Sequence, residues 1–378
     1  MVLDSVYEWA ERLFWQGIRK GDILWFIDRD ARVLTKNCLF LVLALAVTVY
    51  SSIEVACQLY MLTEKPALLH VLAFTPMFFQ STHVLACTVP LIVQRYDYKK
   101  IYADYQKMWP LSGVDQKGLE EMRSIFLKCL CTYVGYYFLC FLCIVSFIPV
   151  NGVDYERNLW PSLAGFFLIN YEMHIMHMCI LYNVQCIMLR RRLETIDQRH
   201  QQSPVLLLVD DDSYQEHVRR VLKECVKQDI KLKMFGNSLI RHFQWVMLFH
   251  AGNGILLLSV LYYMNIFLRG IFSPMGLLIF LFGANSMAFL YAVSSEIFRE
   301  QVNLIRDAVF ETKWYTFNVS NRKTILLLLT NLTRPRFLTA GGVFDVNYAL
   351  FISIMHKCFN VMTVLNRMMP EGRQMLEN

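Results

Sequence analysis

The fold is decided by the stretch Phe272–Phe298, which reads FSPMGLLIFLFGANSMAFLYAVSSEIF and carries no charged residue before Glu296. A helix that rises about 1.5 Å per residue needs roughly 20 apolar residues to cross a hydrocarbon core of about 30 Å. A helix in the core of a soluble protein would be shorter and would carry charge along one side. This stretch therefore predicts a transmembrane helix.

Six further stretches share these properties, and together they predict seven transmembrane spans. In order, the spans cover Val33–Ile53, Ala67–Val93, Ile125–Val150, Leu159–Leu189, Leu239–Leu268, Phe272–Phe298 and Val343–Asn366. With 56% hydrophobic residues over 378 positions, the chain has no room for a separate soluble domain. We therefore expect an all-α membrane protein that forms a single seven-helix membrane domain over residues 1–378.

The basic residues alternate between the segments that separate the spans. The first, third, fifth and seventh segments hold 30 of the 37 Lys and Arg residues, counting Lys36 and Arg241 in the first turns of the following spans, and the alternate segments hold five. Because Lys and Arg collect on the cytoplasmic side, this bias predicts a cytoplasmic N-terminus, including residues 1–32, and an extracellular C-terminus. The basic residues on the cytoplasmic side of the lipid bilayer explain the net charge of +6, so this charge does not require a nucleic-acid partner.

The longest segment between spans, residues 190–238, contains a second helical pattern. From Tyr214 to Lys233, apolar residues recur at the spacing of one helical face. We therefore expect the fifth helix to begin far before its membrane span. The acidic run Asp210–Asp212 is expected to form its N-terminal cap region.

The cysteines and histidines predict neither disulfides nor metal binding. Most of the eleven cysteines lie in or beside apolar spans, where Cys is usually a small packing residue. Cys140 and Cys143 have no ordered His ligands in the nearby sequence, and His174 and His177 share a helical face without a third ligand. We therefore expect no metal site and no cofactor. For His174 and Glu172 we expect either a hydrogen-bonding role in the ligand pocket or a buried polar contact between helices.

The seventh span carries its polar residues on one stripe. At about 100° per residue, five residues fall within an arc of roughly 80°: Ser353, Lys357, Asn360, Val364 and Arg367. Polar side chains in hydrocarbon are costly and usually face a bundle interior or a water path. The stripe therefore predicts a pore lining, with Val364 as an apolar ring that closes the pore, although contacts between helices are the alternative explanation. Several chains are needed to enclose such a pore. Because Lys357 and Arg367 would oppose cation flow, either a partner subunit without these charges shares the pore or the two side chains bend away from it.

The segment before the seventh span resembles the insect odorant receptor family. The matching elements are Glu296, Trp314-Tyr315, Arg322-Lys323 before the apolar run Ile325–Leu329, Arg334-Pro335, and Leu338-Thr339-Ala340-Gly341 before Phe344. The resemblance implies an odorant-gated, poorly selective cation channel. In this family an odorant-specific subunit joins a shared co-receptor in a heterotetramer, in the plasma membrane of sensory neuron dendrites.

The resemblance also implies a division of the chain into functional parts. Residues 190–238 and 299–342 would form a cytoplasmic anchor region, with an anchor helix from Thr324 to Thr333, and residues 343–367 would form the pore helix. Asn366-Arg367-Met368 stands where the co-receptor has an aromatic residue, an apolar run and Gln-Phe. This difference indicates an odorant-specific subunit, and the similar ending of the related gustatory receptors is absent as well.

The resemblance implies that the small volatile odorant binds in the outer half of the bundle, among the second, third, fourth, fifth and sixth helices. In this chain the outer halves are rich in aromatic residues and Met, which suit an apolar ligand. The candidate ligand-binding residues are Phe74, Met77, Phe78, Tyr136, Tyr137, Phe141, Tyr171, Met173, His174, Tyr262, Tyr263 and Phe282. Ordinary core packing is the alternative role for each of them.

Three other functions are weighed against an odorant-gated channel. A gustatory-type subunit of the same superfamily is the nearest alternative. A metabotropic seven-helix receptor would have an outer N-terminus and an outer-loop cysteine pair, and the sequence predicts neither. A membrane enzyme or transporter would show converging acid, base or metal-binding residues or an internal repeat, and we find none, so we expect no enzyme activity.

Overall fold

Long helices occupy all seven predicted spans in the computed structural model, which describes residues 34–64, 68–93, 95–109, 115–146, 155–197, 208–267, 274–332 and 338–368. The seven are α1 (Leu34–Thr63), α2 (Leu68–Val93), α4 (Gln116–Ser146), α5 (Tyr155–Glu194), α6 (Asp212–Phe267), α7 (Pro274–Glu311) and α9 (Tyr348–Met368). Two shorter helices, α3 (Arg95–Gln106) and α8 (Val319–Leu332), lie between them. The predicted N-terminal segment, residues 1–32, lies outside the described residues.

Length and hydropathy identify four stretches in the described part of the chain as able to cross a membrane. They are Leu45–Thr63, Asp212–Phe267, Leu277–Glu311 and Tyr348–Arg367. The helices α2, α4 and α5, which make up the other three predicted spans, include many residues whose side chains lie outside the described part. The order of the seven helices nevertheless matches the predicted order of the spans.

The helix α6 extends far beyond its apolar span, as predicted. Its 56 residues correspond to about 84 Å, against a hydrocarbon core of about 30 Å. Asp211 caps its N-terminus, because its Oδ1 accepts hydrogen bonds from the backbone N–H groups of Ser213 at 2.9 Å and Tyr214 at 3.2 Å. The charged first half of α6 therefore lies beyond the apolar part of the bundle, in what we call the helical extension (residues 190–197, 208–238 and 299–332).

The helices α5, α6 and α7 pack closely where the apolar bundle meets the helical extension. The rings of Tyr182 and Phe298 stack with centroids 4.1 Å apart. Gly236 allows α6 to approach this stack, because a Cβ atom at that position would lie 3.1 Å from the Tyr182 ring. This contact fixes α6 against both neighbouring helices.

A buried polar network ties the first turn of α6 to the segment that follows α7. The Tyr214 hydroxyl donates to Asp197 Oδ1 at 2.6 Å and lies 2.9 Å from the Thr316 hydroxyl. The backbone N–H of Lys313 donates to the other oxygen of Asp197, at 2.9 Å. Burial raises the pKa of the Tyr214 phenol, and the Asp197 carboxylate raises it further. The network is thus satisfied with a neutral tyrosine donating to a carboxylate.

Ion pairs join the end of α5 to the start of α4. Asp115 caps α4 by accepting a hydrogen bond from the Gly118 N–H at 3.2 Å, and it also accepts one from Arg191 Nε at 3.0 Å. Arg190 pairs with Glu121 on the same side. The hydrogen bond from Arg191 holds the pKa of the Asp115 carboxyl below its usual value, with the Gly118 N–H adding to the effect.

Among the described cysteines, Cys57 and Cys131 are exposed free thiols, and the buried free thiols are Cys87, Cys179, Cys186, Cys225 and Cys358. Cys225 is fully buried in the helical extension. Burial raises the pKa of its thiol to about 12, so the side chain stays protonated and packs as a small apolar group.

The helix α8, which corresponds to the predicted anchor helix, begins earlier than the predicted start at Thr324. Asn318 caps it, because its Oδ1 accepts a hydrogen bond from the Asn321 N–H at 2.9 Å. Ile325, Leu328 and Leu332 form its buried side. Its other side leaves Val319, Leu326 and Leu327 exposed on this chain. Residue 333, at the end of the predicted helix, lies outside the described residues.

A short β-ribbon, which the sequence did not predict, precedes the seventh span. The strands β1 (Thr339–Ala340) and β2 (Phe344–Asp345) pair in antiparallel register. Gly341 and Gly342 turn the chain between them with φ of 63° and 72°, a conformation that favours glycine. The helix α9 therefore begins at Tyr348 rather than at the predicted Val343, and Asn347 caps it by accepting a hydrogen bond from the Leu350 N–H at 2.8 Å.

Candidate functional site

The helix α9 packs on α6 and α7 through one apolar side. Ile354, Cys358 and Met362 recur every four residues and are buried. The Cys358 thiol donates to the Ile255 carbonyl oxygen of α6 at 3.5 Å. Near the start of α9, Phe289 of α7 packs against the rings of Tyr348 and Phe351, with centroids 6.0 Å and 5.6 Å apart. Both neighbours therefore hold the position of α9.

The predicted pore residues lie on the opposite side of α9. Lys357, Asn360 and Arg367 are exposed on this chain, Val364 is 53% exposed, and Ser353 is partly buried. Among the described residues, no ion pair is formed by Lys357 or Arg367. The structure therefore leaves the stripe facing outward, and its role in a pore stays a prediction.

The exposed half of α9 divides into a polar side and an apolar side. The predicted stripe forms the polar side, while Ile352 and Phe359 project on the apolar side and are both more than half exposed. A helix with one polar and one apolar exposed side suits a position between water and lipid.

Four of the twelve predicted ligand-binding residues have described side chains. Tyr263 is 3% exposed, inside an apolar cluster formed by α6, α7 and α9, and Tyr262 packs against the same cluster. Phe78 makes an edge-to-face contact with Phe79, which also packs on that cluster, with ring centroids 5.6 Å apart. Phe282 instead points away from the interior and is 64% exposed.

The other eight predicted ligand-binding residues have backbones within α2, α4 and α5, but their side chains lie outside the described residues. These eight are Phe74, Met77, Tyr136, Tyr137, Phe141, Tyr171, Met173 and His174. Their contact with ligand stays a prediction. His177, the neighbour of His174 in the predicted histidine pair, is buried at 1% exposure without a hydrogen-bond partner among the described residues.

The apolar cluster includes residues that sequence reasoning missed. Met362 of α9 is 5% exposed within it, and Leu365 packs against it. From α2 and α7, Phe79 and Phe280 also pack on it. We call this group, which includes Tyr263 and Met362, the aromatic cluster. The spacing of Ile354, Cys358 and Met362, opposite the polar stripe, was the signal that could have placed Met362 inside.

Hydrogen bonds cross the bundle close to the aromatic cluster. The Tyr262 hydroxyl donates to Asn285 Oδ1 at 3.3 Å. The Asn253 side-chain amide donates to the Phe79 carbonyl oxygen at 3.0 Å, and the Thr82 hydroxyl lies 3.4 Å from Asn253 Oδ1. These groups give an otherwise apolar region a few fixed polar contacts, which is the usual composition of a small-molecule site.

One further group in the described part of the chain combines potential metal ligands. His83 and Cys87 of α2 and His250 of α6 each offer a ligand atom, and these atoms lie within 4.8 Å of one another. The pair His83 and Cys87, four residues apart in a membrane span, was the signal in the sequence that could have found half of this group. No pattern in the sequence relates it to His250.

Comparisons with known proteins place the chain in a family. Residues 159–359, more than half of the chain, match the family described as 7tm Odorant receptor. Odorant receptor 30a of Drosophila melanogaster is 29% identical over 157 residues, which are 40% of this chain and 40% of that protein. Odorant receptor Or2 of Anopheles gambiae is 25% identical over 150 residues, or 39% of each chain. The aligned part thus spans about two fifths of the length of these curated relatives.

A solved structure extends the likeness to nearly the whole fold. The insect olfactory receptor OR5 from Machilis hrabei, solved in complex with eugenol and without it, superposes with a TM-score of 0.69 at 14% identity. The superposition covers 96% of this chain and 98% of that one. This likeness confirms the all-α, seven-helix membrane fold. The chain therefore belongs to the 7tm Odorant receptor family, whose members are multi-pass membrane receptors rather than enzymes.

Proposed function

We propose that this chain is the odorant-specific subunit of a ligand-gated, poorly selective cation channel. A small volatile binds in the outer half of the bundle, and a heterotetramer with a co-receptor encloses a pore lined by the α9 helices. The N-terminus lies in the cytoplasm, and the assembly lies in the plasma membrane of a sensory dendrite. Family membership and the polar stripe on α9 both support this proposal.

The observation that carries the proposal is the makeup of the aromatic cluster. It contains Tyr263, a predicted ligand residue, together with Met362 of the pore helix. Protein interiors are close-packed, so a ligand inserted beside Tyr263 requires its neighbours to move. Because Met362 belongs to the same cluster, a ligand that displaces side chains of the cluster can act on α9 through Met362.

The polar contacts of the cluster support a ligand with one hydrogen-bonding group on an apolar body. Tyr262 and Asn285 already bond to each other at 3.3 Å, so a ligand oxygen near them can compete for the phenol hydrogen. The similar receptor OR5 was solved in complex with eugenol, which agrees with a small organic ligand.

The charge on the stripe supports a mixed assembly. Four copies of Lys357 and Arg367 around one axis would raise a repulsive potential for cations in a narrow pore. A partner subunit without these charges lowers that barrier. The exposed apolar side of α8, formed by Val319, Leu326 and Leu327, supports subunit contacts outside the membrane.

Electrical recording tests the proposal. Four sets of cells are compared: cells with this chain and a co-receptor, cells with this chain alone, cells with the co-receptor alone, and cells with neither. Each set is exposed to a panel of volatiles while G-protein turnover is blocked. We expect an inward current only when both chains are present, and we expect it to persist under the block. A response that disappears with the block would instead support the metabotropic alternative.

Epitope accessibility tests the orientation separately. A tag at the N-terminus should be reached by antibody only after the cells are permeabilised, and a tag at the C-terminus should be reached in intact cells. The reverse pattern would contradict the orientation predicted from the basic residues.

A further inference from the structure

Two helices bring three metal-binding side chains together in the interior of the bundle. His83 and Cys87 lie four residues apart on α2 and so project from the same side of the helix. Their partner is His250 of α6, whose ring stacks on the His83 ring with centroids 3.9 Å apart. Cys87 and His250 are buried, and His83 is partly buried.

The separation of sulfur and nitrogen suits a shared metal ion. Cys87 Sγ and His250 Nε2 are 3.5 Å apart. Two ligands bound at about 2.3 Å (sulfur) and about 2.0 Å (nitrogen) with a tetrahedral angle between them lie about 3.5 Å apart. The third ligand atom, from His83, is within 4.8 Å of the other two. Because the His83 ring stacks on the His250 ring with an interplanar angle of 27°, it must turn out of this stack before its nitrogen can bind the same ion.

A hydrogen bond on the far side of His250 supports the same role. His250 Nδ1 lies 2.9 Å from the Tyr291 hydroxyl of α7. In the tautomer in which Nδ1–H donates to Tyr291, the lone pair of Nε2 points toward Cys87. Metal-binding histidines commonly donate their other N–H to such a partner, which fixes both the tautomer and the ring orientation.

We propose that His83, Cys87 and His250 form a binding site for monovalent copper. Thiolate and imidazole ligands suit Cu⁺, which accepts few ligands of this soft type. The charge also favours Cu⁺ over Zn²⁺, because one thiolate with Cu⁺ is neutral, whereas with Zn²⁺ it leaves a net positive charge in the bundle. On binding, the Cys87 thiol releases its proton to solvent, and the copper stays monovalent.

Copper at this site would join α2 to α6 close to the aromatic cluster. Phe79, which packs on that cluster, lies one helical turn from His83 on α2. The site goes beyond the proposed channel function, and its occupancy can be measured without recording a current.

The test measures copper bound to the full-length chain in lipid nanodiscs. The protein is equilibrated with Cu⁺, ascorbate and excess glutathione, which competes for copper at isolated thiols, and the metal is quantified by mass spectrometry. We expect about one copper per chain, as one three-ligand site requires. X-ray absorption should show sulfur and nitrogen ligands. Wild-type protein that retains no copper against glutathione would overturn the proposal without any variant.

Variants locate the copper in the group. Cys87→Ser should abolish copper retention, and Tyr291→Phe, which keeps all three ligands, should weaken copper binding by roughly 10- to 100-fold. The matched controls Cys358→Ser and His177→Gln change a buried Cys and a buried His elsewhere in the bundle and should retain copper. Equal retention by Cys87→Ser and Cys358→Ser would overturn the site. Retention of Zn²⁺ but not Cu⁺ at these residues would overturn the choice of metal.

Discussion

The turn before α9 offers a direct comparison of two neighbouring glycines. Gly341 and Gly342 both have positive φ, so replacing either with alanine costs roughly 1–2 kcal/mol in backbone strain. Their surroundings differ. A Cβ atom at Gly341 would lie 2.8 Å from Leu248 Cδ2 of α6, whereas one at Gly342 would lie 3.3 Å from the end of the flexible Gln244 side chain. We therefore expect Gly341→Ala to be the more disruptive change.

The size of the difference follows from the contact with Leu248. Overpacking costs roughly 1–3 kcal/mol, so Gly341→Ala should destabilise the ribbon by that amount more than Gly342→Ala does. The clash also pushes the chain away from α6, to which the Gly341 N–H donates a hydrogen bond at the Gln244 carbonyl oxygen, 2.8 Å away. Since about 1.4 kcal/mol corresponds to a tenfold change, local opening should become about 5- to 140-fold more frequent than in Gly342→Ala.

Hydrogen exchange measures this opening. The Val346 N–H donates to the Leu338 carbonyl oxygen at 2.8 Å, so its exchange rate reports on the ribbon. We expect peptides that cover residues 338–346 to exchange faster in Gly341→Ala than in Gly342→Ala, with α5 unchanged in both. Equal exchange in the two variants would refute the proposed role of the Leu248 contact.

Three further predictions concern acid stability and gating. The hydrogen bond from Arg191 lowers the pKa of Asp115. The Asp115 carboxylate should therefore stabilise the fold fully above the unfolded-state pKa of about 3.9, and this stabilisation should disappear as pH falls through the lower folded-state pKa. Hydrogen exchange in the first turn of α4 should show this loss in wild type but not in Asp115→Asn. Met362→Ala removes a buried side chain from the aromatic cluster and should shift the odorant dose–response curve, while Thr363→Ala, an exposed neighbour, should leave it unchanged. Val364→Ala should raise the basal current if Val364 closes the pore, and unchanged basal current, ligand sensitivity and permeation would assign closure to another residue.

The sequence predicted the helices well because hydropathy and length alone indicate a membrane span. It placed the start of the seventh helix five residues too early because Val343, Phe344 and Val346 continue the apolar pattern. What ends that pattern is the pairing of Phe344 with Ala340 across two left-handed glycines, together with the Asn347 cap. These contacts depend on the position of α6 beneath the turn, which no local pattern shows.

The candidate site was predictable only where it depends on one helix. The stripe on α9 follows from helical spacing, and the structure leaves most of it exposed. The aromatic cluster depends on which sides of α6, α7 and α9 meet, so Met362 was missed although Tyr263 was named. The group around His250 joins residues 163 positions apart, and only packing brings them together.

The central claim is that the polar side of α9 faces a water-filled axis shared among subunits. Neighbouring residues test it most directly: Asn360→Cys places a thiol on the polar side, and Phe359→Cys places one on the apolar side. Each variant is expressed with a co-receptor and treated with a charged, water-soluble thiol reagent while odorant holds the channel open. The account predicts that the current is modified in Asn360→Cys and unchanged in Phe359→Cys and wild type. An Asn360→Cys channel that conducts normally and is untouched by the reagent would contradict it.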